Sequence, residues 1–134
     1  MIGCALLTDK LFADLRLGSE PNPLAVEPPV PRITAWAFTV RGRAIAAVDL
    51  SQTYYETVWS CPYVSAAAAR HMAPLARAFE AVIEPFSRVD AMVEPSSLPE
   101  RLLLAAKFED WGHPPAPIGG RKYRTYRRIR GGLN

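Results

Sequence analysis

Residues 32–51 read RITAWAFTVRGRAIAAVDLS, and this stretch decides the fold class of the chain. Its two halves contain β-branched and aromatic side chains, which are typical of strands. Between them, Gly42 can supply the left-handed backbone conformation that a tight hairpin turn requires. A third stretch of similar composition, YYETVWSCP, follows at residues 54–62. The pattern predicts an antiparallel meander of three strands.

The spacing of apolar residues changes after the meander. Between Ser65 and Phe86 they recur at intervals of three or four residues, which predicts a long amphipathic helix. Pro74 lies inside this stretch. Because proline cannot donate the hydrogen bond of a helix interior, the helix should kink at Pro74 or begin its regular part nearby.

The last third of the chain alternates between strand and helix. Residues 88–94 have the alternating pattern of a short strand. Ser97 and Glu100 have the spacing of a capping box, in which the serine side chain accepts a hydrogen bond from the N–H of the glutamate. The helix that they open, LPERLLLAAKF, is apolar and is expected to contribute three core residues: Leu102, Leu103 and Phe108. After a loop rich in proline and glycine, a final strand covers roughly residues 121–129.

The part of the chain before the meander contains one predicted helix and a connector. Residues 5–17 show helical spacing of leucine and phenylalanine, and Thr8 or Asp9 can cap the start. Five prolines between Ser19 and Pro31 predict an extended connector, because proline fixes φ and removes a donor. The predicted organisation is a single domain, 1–134, with the N-terminal helix and connector at 1–31, the core at 32–129 and a frayed tail at 130–134.

The composition is that of an ordinary globular domain. A chain of 134 residues suits one hydrophobic core, and 49% of its residues are hydrophobic against 22% charged. No run approaches the roughly 18 apolar residues that span a bilayer, so no membrane partner is expected. The N-terminus lacks the basic region of a secretory signal, so the cytosol is the default compartment. Two cysteines and two histidines make neither a disulfide framework nor a zinc signature, so no metal site is expected.

The order of the predicted elements carries a family resemblance. A strand–helix–strand step after an antiparallel meander resembles the GNAT N-acetyltransferase fold, and so does the passage from Cys61 and Pro62 into an alanine-rich run before a long helix. The resemblance covers about residues 32–129. It implies an α/β (α+β) fold with a mixed sheet: an N-terminal helix, a three-strand meander, and then helix, strand, helix and strand.

Two further pieces resemble the GNAT-like proteins of tailed bacteriophages, including the small internal virion proteins of short-tailed phages. These pieces are the run from Glu94 to Phe108 and the loop His113-Pro114-Pro115-Ala116-Pro117. The narrower resemblance implies a non-catalytic virion component or assembly factor whose partners are other virion or assembly proteins. Such a protein would reside in the virion or in the host cytoplasm.

The resemblance also implies where a cofactor would bind. The family holds the pyrophosphate of coenzyme A on backbone N–H groups at a helix N-terminus, with the motif Gln/Arg-x-x-Gly-x-Gly/Ala. Aligned on Pro62, this motif makes four residues candidates for cofactor binding: Ser65, Ala66, Ala68 and Arg70. Since no glycine occurs between Gly42 and Gly112, alanines would have to form the cradle. We therefore expect no cofactor, and acetyl-CoA if the chain is an enzyme.

A tyrosine commonly protonates the leaving thiolate in this family, and its place falls on Leu103, which has no proton to give. The best candidates for catalytic groups are Glu56 as a general base and Tyr54 as an acid, both on the predicted third strand. Glu56 can equally be a solvent-facing strand residue, and Tyr54 a packing residue. Three function classes therefore stay open: a non-catalytic phage protein, an N-acetyltransferase with an unusual cofactor loop and, more weakly, a nucleic-acid-binding module that uses the basic segment at 121–130.

The segment 121–130, RKYRTYRRIR, is the main charged feature of the sequence. It carries six basic residues and no acid, and since the net charge of the chain is +3, the rest carries about −3. These charges suit a contact with nucleic acid or an acidic protein surface, or alternatively a solvated edge strand. If the segment contacts a partner, an acidic protein surface is favoured over nucleic acid. Four residues are then predicted to bind the partner: Arg124, Tyr126, Arg127 and Arg128.

Overall fold

The computed structural model describes residues 1–28, 30–53, 57–112 and 119–130. Its strands are β1 (Gly3–Leu6), β2 (Arg32–Val40), β3 (Arg43–Gln52), β4 (Val58–Val64), β5 (Arg88–Val93), β6 (Glu109–Asp110) and β7 (Arg124–Ile129). Its α-helices are α1 (Asp9–Asp14), α2 (Met72–Ile83) and α3 (Leu98–Ala105), and 3-10 helices cover Pro23–Ala25 and Ala66–His71. The strands form one sheet in the order β1-β2-β3-β4-β5-β7-β6. The predicted α+β class with a mixed sheet is confirmed.

The predicted meander is present as β2, β3 and β4, which pair antiparallel. Val40 pairs with Arg43, so Arg41 and Gly42 form a two-residue turn between β2 and β3. Both turn residues have positive φ, 53° at Arg41 and 80° at Gly42. Two positive values match the twist of the flanking strands, which is why glycine is favoured in such hairpins.

The N-terminal segment departs from its prediction. Instead of one helix over 5–17, Gly3–Leu6 form strand β1, which pairs antiparallel with β2, and only Asp9–Asp14 are α-helical. The edge of β2 offers backbone hydrogen bonds that a longer helix would leave unmade, and this non-local pairing outweighs local helical spacing. Thr8 caps α1 as expected, since its Oγ1 accepts from the N–H of Leu11 at 3.2 Å.

Helices α2 and α3 cover one face of the sheet and enclose the main core. The predicted long helix is divided: Ala66–His71 are 3-10 and the α-helical part begins at Met72. Pro74 therefore lies in the first turn of α2, where its missing N–H breaks no intrahelical bond. The aromatic rings of Phe79 and Phe108 stack with their centroids 5.8 Å apart between the two helices. No helix in the described ranges is long and apolar enough to cross a membrane.

The start of α3 agrees closely with its prediction. Ser97 Oγ accepts from the N–H of Glu100 at 3.2 Å, and the Glu100 carboxylate accepts in return from the N–H of Ser96 at 2.9 Å. The return bond goes to the residue before the cap, because Ser96 adopts a positive φ of 61° that turns its N–H toward the helix. The three predicted core residues are all buried: Leu102, Leu103 and Phe108.

The opposite face of the sheet is covered by α1 and the proline-rich connector. Phe12 of α1 and Leu15, which follows α1, pack on alanines of β2 and β3 in a second, smaller core. Arg32 fixes the connector on this face: its Nε donates to Asp49 Oδ1 at 2.8 Å, and its Nη2 donates to the carbonyl oxygens of Pro23 and Val26. One guanidinium thus joins the connector to β3.

Candidate functional site

Strands β4 and β5 form a fork in the middle of the sheet. They pair in parallel at two positions, Val58 with Val89 and Trp59 with Asp90, although β4 continues to Val64 and β5 to Val93. At the fork, Ser60 Oγ donates to the carbonyl oxygen of Asp90 at 3.3 Å. Beyond this bond the two strands separate, and a cleft opens between them.

The cleft consists of two adjoining hollows. One of about 390 Å³ lies between the ends of β4 and β5, with Ser97 at the start of α3 on one wall. The other, of about 490 Å³, lies between the connector and the sheet, beside Trp59. Three residues line both hollows: Cys61, Tyr63 and Met92. The cleft therefore extends from the forked strands to the connector.

Cys61 and Tyr63 are the reactive side chains in the cleft. Alternation along β4 turns them away from the main core, which their neighbours Ser60, Pro62 and Val64 face. Although Cys61 is exposed, desolvation by the cleft around it raises the pKa of its thiol, and the carboxylates of Asp49 and Glu20 raise it further, against the opposing effect of a hydrogen bond with Tyr63. Burial, and to a lesser degree the nearby Cys61 thiol, raises the pKa of Tyr63 well above that of a free tyrosine. Both groups keep their protons at neutral pH.

The raised pKa of Cys61 predicts slow alkylation. In a Cys4→Ser variant, we expect iodoacetamide to modify Cys61 more slowly than an unstructured peptide thiol at about pH 8, since the thiolate is the reactive form. Because the pKa is raised, the rate should still increase above about pH 9.5, where the rate of the peptide thiol levels off about one unit above its pKa. Mass spectrometry of timed samples gives both rates. Equal rates at every pH would contradict the protonated state of Cys61.

Two of the four candidate cofactor-binding residues, Ser65 and Ala68, already form hydrogen bonds within the protein. The N–H and Oγ of Ser65 both donate to the carbonyl oxygen of Ile45, at 3.0 and 2.8 Å. The N–H of Ala68 donates to the carbonyl oxygen of Ser65 at 3.0 Å, and the side chain of Ala68 is buried. Ala66 and Arg70 are exposed. Of the four candidates, only these two can contact a ligand without breaking a bond or opening the core.

The N-terminus of α2 is also a poor match for the pyrophosphate of acetyl-CoA. An anion site of this kind needs several free N–H groups at the first helical turn. Pro74 is the third residue of α2 and has no N–H, and no glycine lets the backbone approach a phosphate closely. Pro74 and the missing glycines therefore make the N-terminus of α2 a weak phosphate site, although the cleft has room for a narrow chain.

Of the positions considered for acid–base chemistry, only that of Leu103 lies within the described residues. Leu103 is 0% exposed and packs in the main core between α3 and the sheet. Glu56 and Tyr54 lie outside the described residues. Across the described ranges, no group of three or more His, Cys, Asp or Glu residues is placed to hold a metal ion.

The structure corrects the prediction that Tyr126 binds a partner. Its side chain is 1% exposed, and its hydroxyl donates to the carboxylate of Glu100. Burial and that hydrogen bond raise the pKa of Tyr126. The prediction of an exposed anchor is wrong here, because β7 turns this ring toward the main core. The alternative of an edge strand is wrong as well, since β7 lies between β5 and β6.

The three arginines predicted with Tyr126 form ion pairs inside the molecule. Arg127 Nε lies 2.9 Å from Asp90 Oδ1, and Arg88 Nη2 lies 2.9 Å from Asp90 Oδ2. Arg128 Nη2 lies 3.1 Å from Glu84 Oε2, and Arg124 pairs with Asp110. The guanidinium of Arg127 also lies 4.1 Å from the centre of the Trp111 ring, which is half exposed. The sequence of the basic segment gives no sign of these acids, because they lie in β5, in β6 and directly after α2.

Comparison with known proteins adds information on the fold. No protein-family model matches the sequence, and no curated protein matches it. Among solved structures, the aminoglycoside acetyltransferase AAC(6')-Ib in complex with coenzyme A has a TM-score of 0.68 at 14% identity, over 97% of this chain and 95% of that one. The ribosomal-protein-S18-alanine N-acetyltransferase of Escherichia coli has a TM-score of 0.62 at 12% identity, over 100% of this chain and 99% of that one.

A third similar structure is longer than this chain. The ribosomal-protein-S5-alanine acetyltransferase of Vibrio fischeri has a TM-score of 0.58 at 14% identity over 75% of this chain, and the match spans 63% of its own length. At such identities the likeness concerns the fold alone. On the sheet order, the forked strands and these neighbours, the chain has the fold of the GNAT N-acetyltransferases.

Proposed function

We propose that this chain is a non-catalytic protein with the GNAT fold, serving as a virion component or assembly factor of a tailed bacteriophage. The observation that carries the non-catalytic part is the burial of Leu103, at the position where the family resemblance implies a proton donor. A leucine enclosed by the main core can neither donate a proton nor contact a thioester in the cleft.

The state of the cofactor loop supports the same proposal. Ser65 and Ala68 are committed to the packing of β3 against the 3-10 helix, and Pro74 removes a donor from the first turn of α2. Acyl transfer depends on precise placement of the thioester. A cofactor whose phosphates made no contact with the protein would be bound too loosely for that placement. These features favour a protein that has the sheet of the GNAT fold without its phosphate-binding site.

The phage assignment rests on the sequence resemblance of the run from Glu94 to Phe108. In this proposal the partners are other virion or assembly proteins, and the protein resides in the virion or the host cytoplasm. The structural neighbours are acetyltransferases, so their activities are not carried over to this chain.

A second candidate function, an acetyl-CoA-dependent N-acetyltransferase, is favoured by the cleft. The strands β4 and β5 diverge over a hollow of about 390 Å³ that leads to Cys61 and Tyr63. A neighbour of the same fold was solved in complex with coenzyme A. In this alternative the exposed Ala66 and Arg70 would face the phosphates.

Binding and turnover of acetyl-CoA separate the two candidates. A ligand at a hundred times its dissociation constant stabilises a protein by about 2.7 kcal/mol, which is easily seen as a rise in melting temperature. We expect no such rise with millimolar acetyl-CoA, and no release of free thiol above background with a panel of amines. The matched control is an Arg70→Gln variant, which should melt identically with and without the cofactor.

The opposite outcome is equally clear. A rise in melting temperature that is lost in Arg70→Gln would identify a working phosphate site. Turnover that falls when Glu56 is changed to Gln or Tyr54 to Phe would establish the enzyme, and the non-catalytic proposal would then be wrong.

A further inference from the structure

We propose that an arginine patch around the β2–β3 turn binds the phosphodiester backbone of nucleic acid. The arginine patch consists of Arg16, Arg41, Arg43 and Arg70. It lies at the end of the sheet where β4 ends, on the side of β2 and β3, whereas the arginines of β7 lie beyond β5 in the strand order. The proposal concerns a surface that the non-catalytic function above does not use.

Backbone contacts bring the four arginines to one end of the sheet. Arg41 and Arg43 flank Gly42 at the turn itself. The N–H of Ala44 donates to Asp14 Oδ2 at 3.3 Å, which places the end of α1, and with it Arg16, beside the start of β3. The carbonyl of Ile45 accepts from Ser65, which places the 3-10 helix that carries Arg70 next to the same strand.

The charges of the arginine patch are available to a partner. All four side chains are exposed, and within the described ranges none of them forms a hydrogen bond or an ion pair. The neighbouring carboxylate of Asp14 accepts from a backbone N–H. The arginines of β7 differ, because each of the three predicted partner-binding residues has an acid beside it.

Two of these arginines occupy backbone positions that suit glycine or asparagine better. Arg16 has φ of 52° and Arg41 has φ of 53°, both in the left-handed region that is unfavourable for residues with a Cβ. Arg16 follows the last turn of α1, and Arg41 is the first central residue of the hairpin turn, two places where glycine or asparagine is preferred. A strained position that carries a charge with no internal partner points to a use of that charge outside the molecule.

The chemistry of the surface favours nucleic acid over a protein partner. Stable protein interfaces centre on large apolar or aromatic side chains. Of the large apolar side chains that are exposed in the described ranges, Met1 lies at this end of the sheet. The others lie elsewhere: Leu6, Leu24, Val26, Ile33, Leu104, Trp111 and Ile129. Contacts with phosphates need cations and little apolar surface, because counterion release supplies the free energy. The arginine patch meets that requirement.

The test compares two triple variants with the same change of net charge. The first replaces Arg16, Arg41 and Arg43 by glutamine, and the control replaces Arg101, Lys107 and Lys122, which are exposed elsewhere. Binding to a fluorescein-labelled duplex and a labelled single strand is followed by anisotropy between about 50 and 200 mM salt. We expect the patch variant to lose at least tenfold in affinity at the lower salt, and the control less than threefold.

The salt dependence gives a second readout. Loss of three phosphate contacts should lower the slope of log K against log salt by about 2.7 for duplex DNA, at roughly 0.9 per contact. Circular dichroism verifies that each variant is folded. If the patch variant does not fold, the double variant Arg41→Asn and Arg43→Gln replaces it, since asparagine tolerates the left-handed conformation.

Three outcomes would overturn the proposal: no binding by the unmodified protein at the lower salt, equal losses in both triple variants, or displacement of the oligonucleotide by millimolar coenzyme A. The last would assign the phosphate-binding surface to a cofactor. It would be accompanied by the rise in melting temperature described above, and both proposals would then fail together. The first two outcomes would leave the non-catalytic proposal unaffected.

Discussion

Replacing Leu103 by alanine is expected to lower the free energy of unfolding by about 2 to 5 kcal/mol. The side chain is 0% exposed and belongs to the main core, so truncation removes buried methyl groups and leaves a cavity that the surrounding sheet and helices cannot fill. Urea unfolding followed by circular dichroism measures the loss, with the slope of the transition as a check on two-state behaviour.

Leu104 provides the matched control. It is the next residue of α3 and is 51% exposed, so Leu104→Ala should cost less than about 0.5 kcal/mol. If Leu103→Ala cost less than about 1 kcal/mol, Leu103 would line an open groove instead of the core. The main argument for a non-catalytic protein would then be lost.

Changing Asp90 to asparagine is expected to destabilise the protein by about 2 to 4 kcal/mol. The carboxylate is nearly inaccessible and bridges Arg88 and Arg127, so the substitution leaves two guanidinium groups side by side without a counter-charge. Removing one partner of a fully buried ion pair costs about 3 to 5 kcal/mol, and the partial exposure of Arg88 lowers that figure.

Glu84→Gln is the control for this substitution. It breaks the pair with Arg128, but Glu84 is well exposed, and surface pairs contribute about 0 to 1 kcal/mol. Thermal unfolding at low and high salt should separate the two variants. If Asp90→Asn were as mild as Glu84→Gln, water would reach the cluster, and the arginines of β7 would be free to contact a partner as the sequence predicts.

Local patterns predicted the parts of the fold whose partners lie nearby in sequence. The β2–β3 turn at Gly42, the cap at Ser97 and the burial of Leu103 each follow from a few adjacent residues. Strand β1 did not follow, because its partners in β2 lie 30 to 36 positions further along the chain, from Leu6 with Trp36 to Gly3 with Thr39. Local spacing of Leu6 and Leu7 with α1 suggested a helix in its place.

The candidate site was less predictable than the fold, for a related reason. Cys61 and Tyr63 alternate along β4, which the sequence shows, but the cleft that they line exists because β4 and β5 diverge. Divergence of two strands depends on the crossover through α2 and has no signature in either strand. The ion pairs of β7 could not be predicted for the same reason, since Asp90 and Glu84 are distant in sequence from the arginines that they contact.

The hydrogen bonds between Arg32 and the connector bear on the conformational entropy of folding. Prolines between Ser19 and Pro31 already restrict the unfolded chain, so ordering this segment costs less entropy than ordering a glycine-rich loop of equal length. A single guanidinium, bonded to Asp49 and to two connector carbonyls, can therefore hold the segment on the sheet. The connector should resist local opening on warming more strongly than its lack of regular structure suggests.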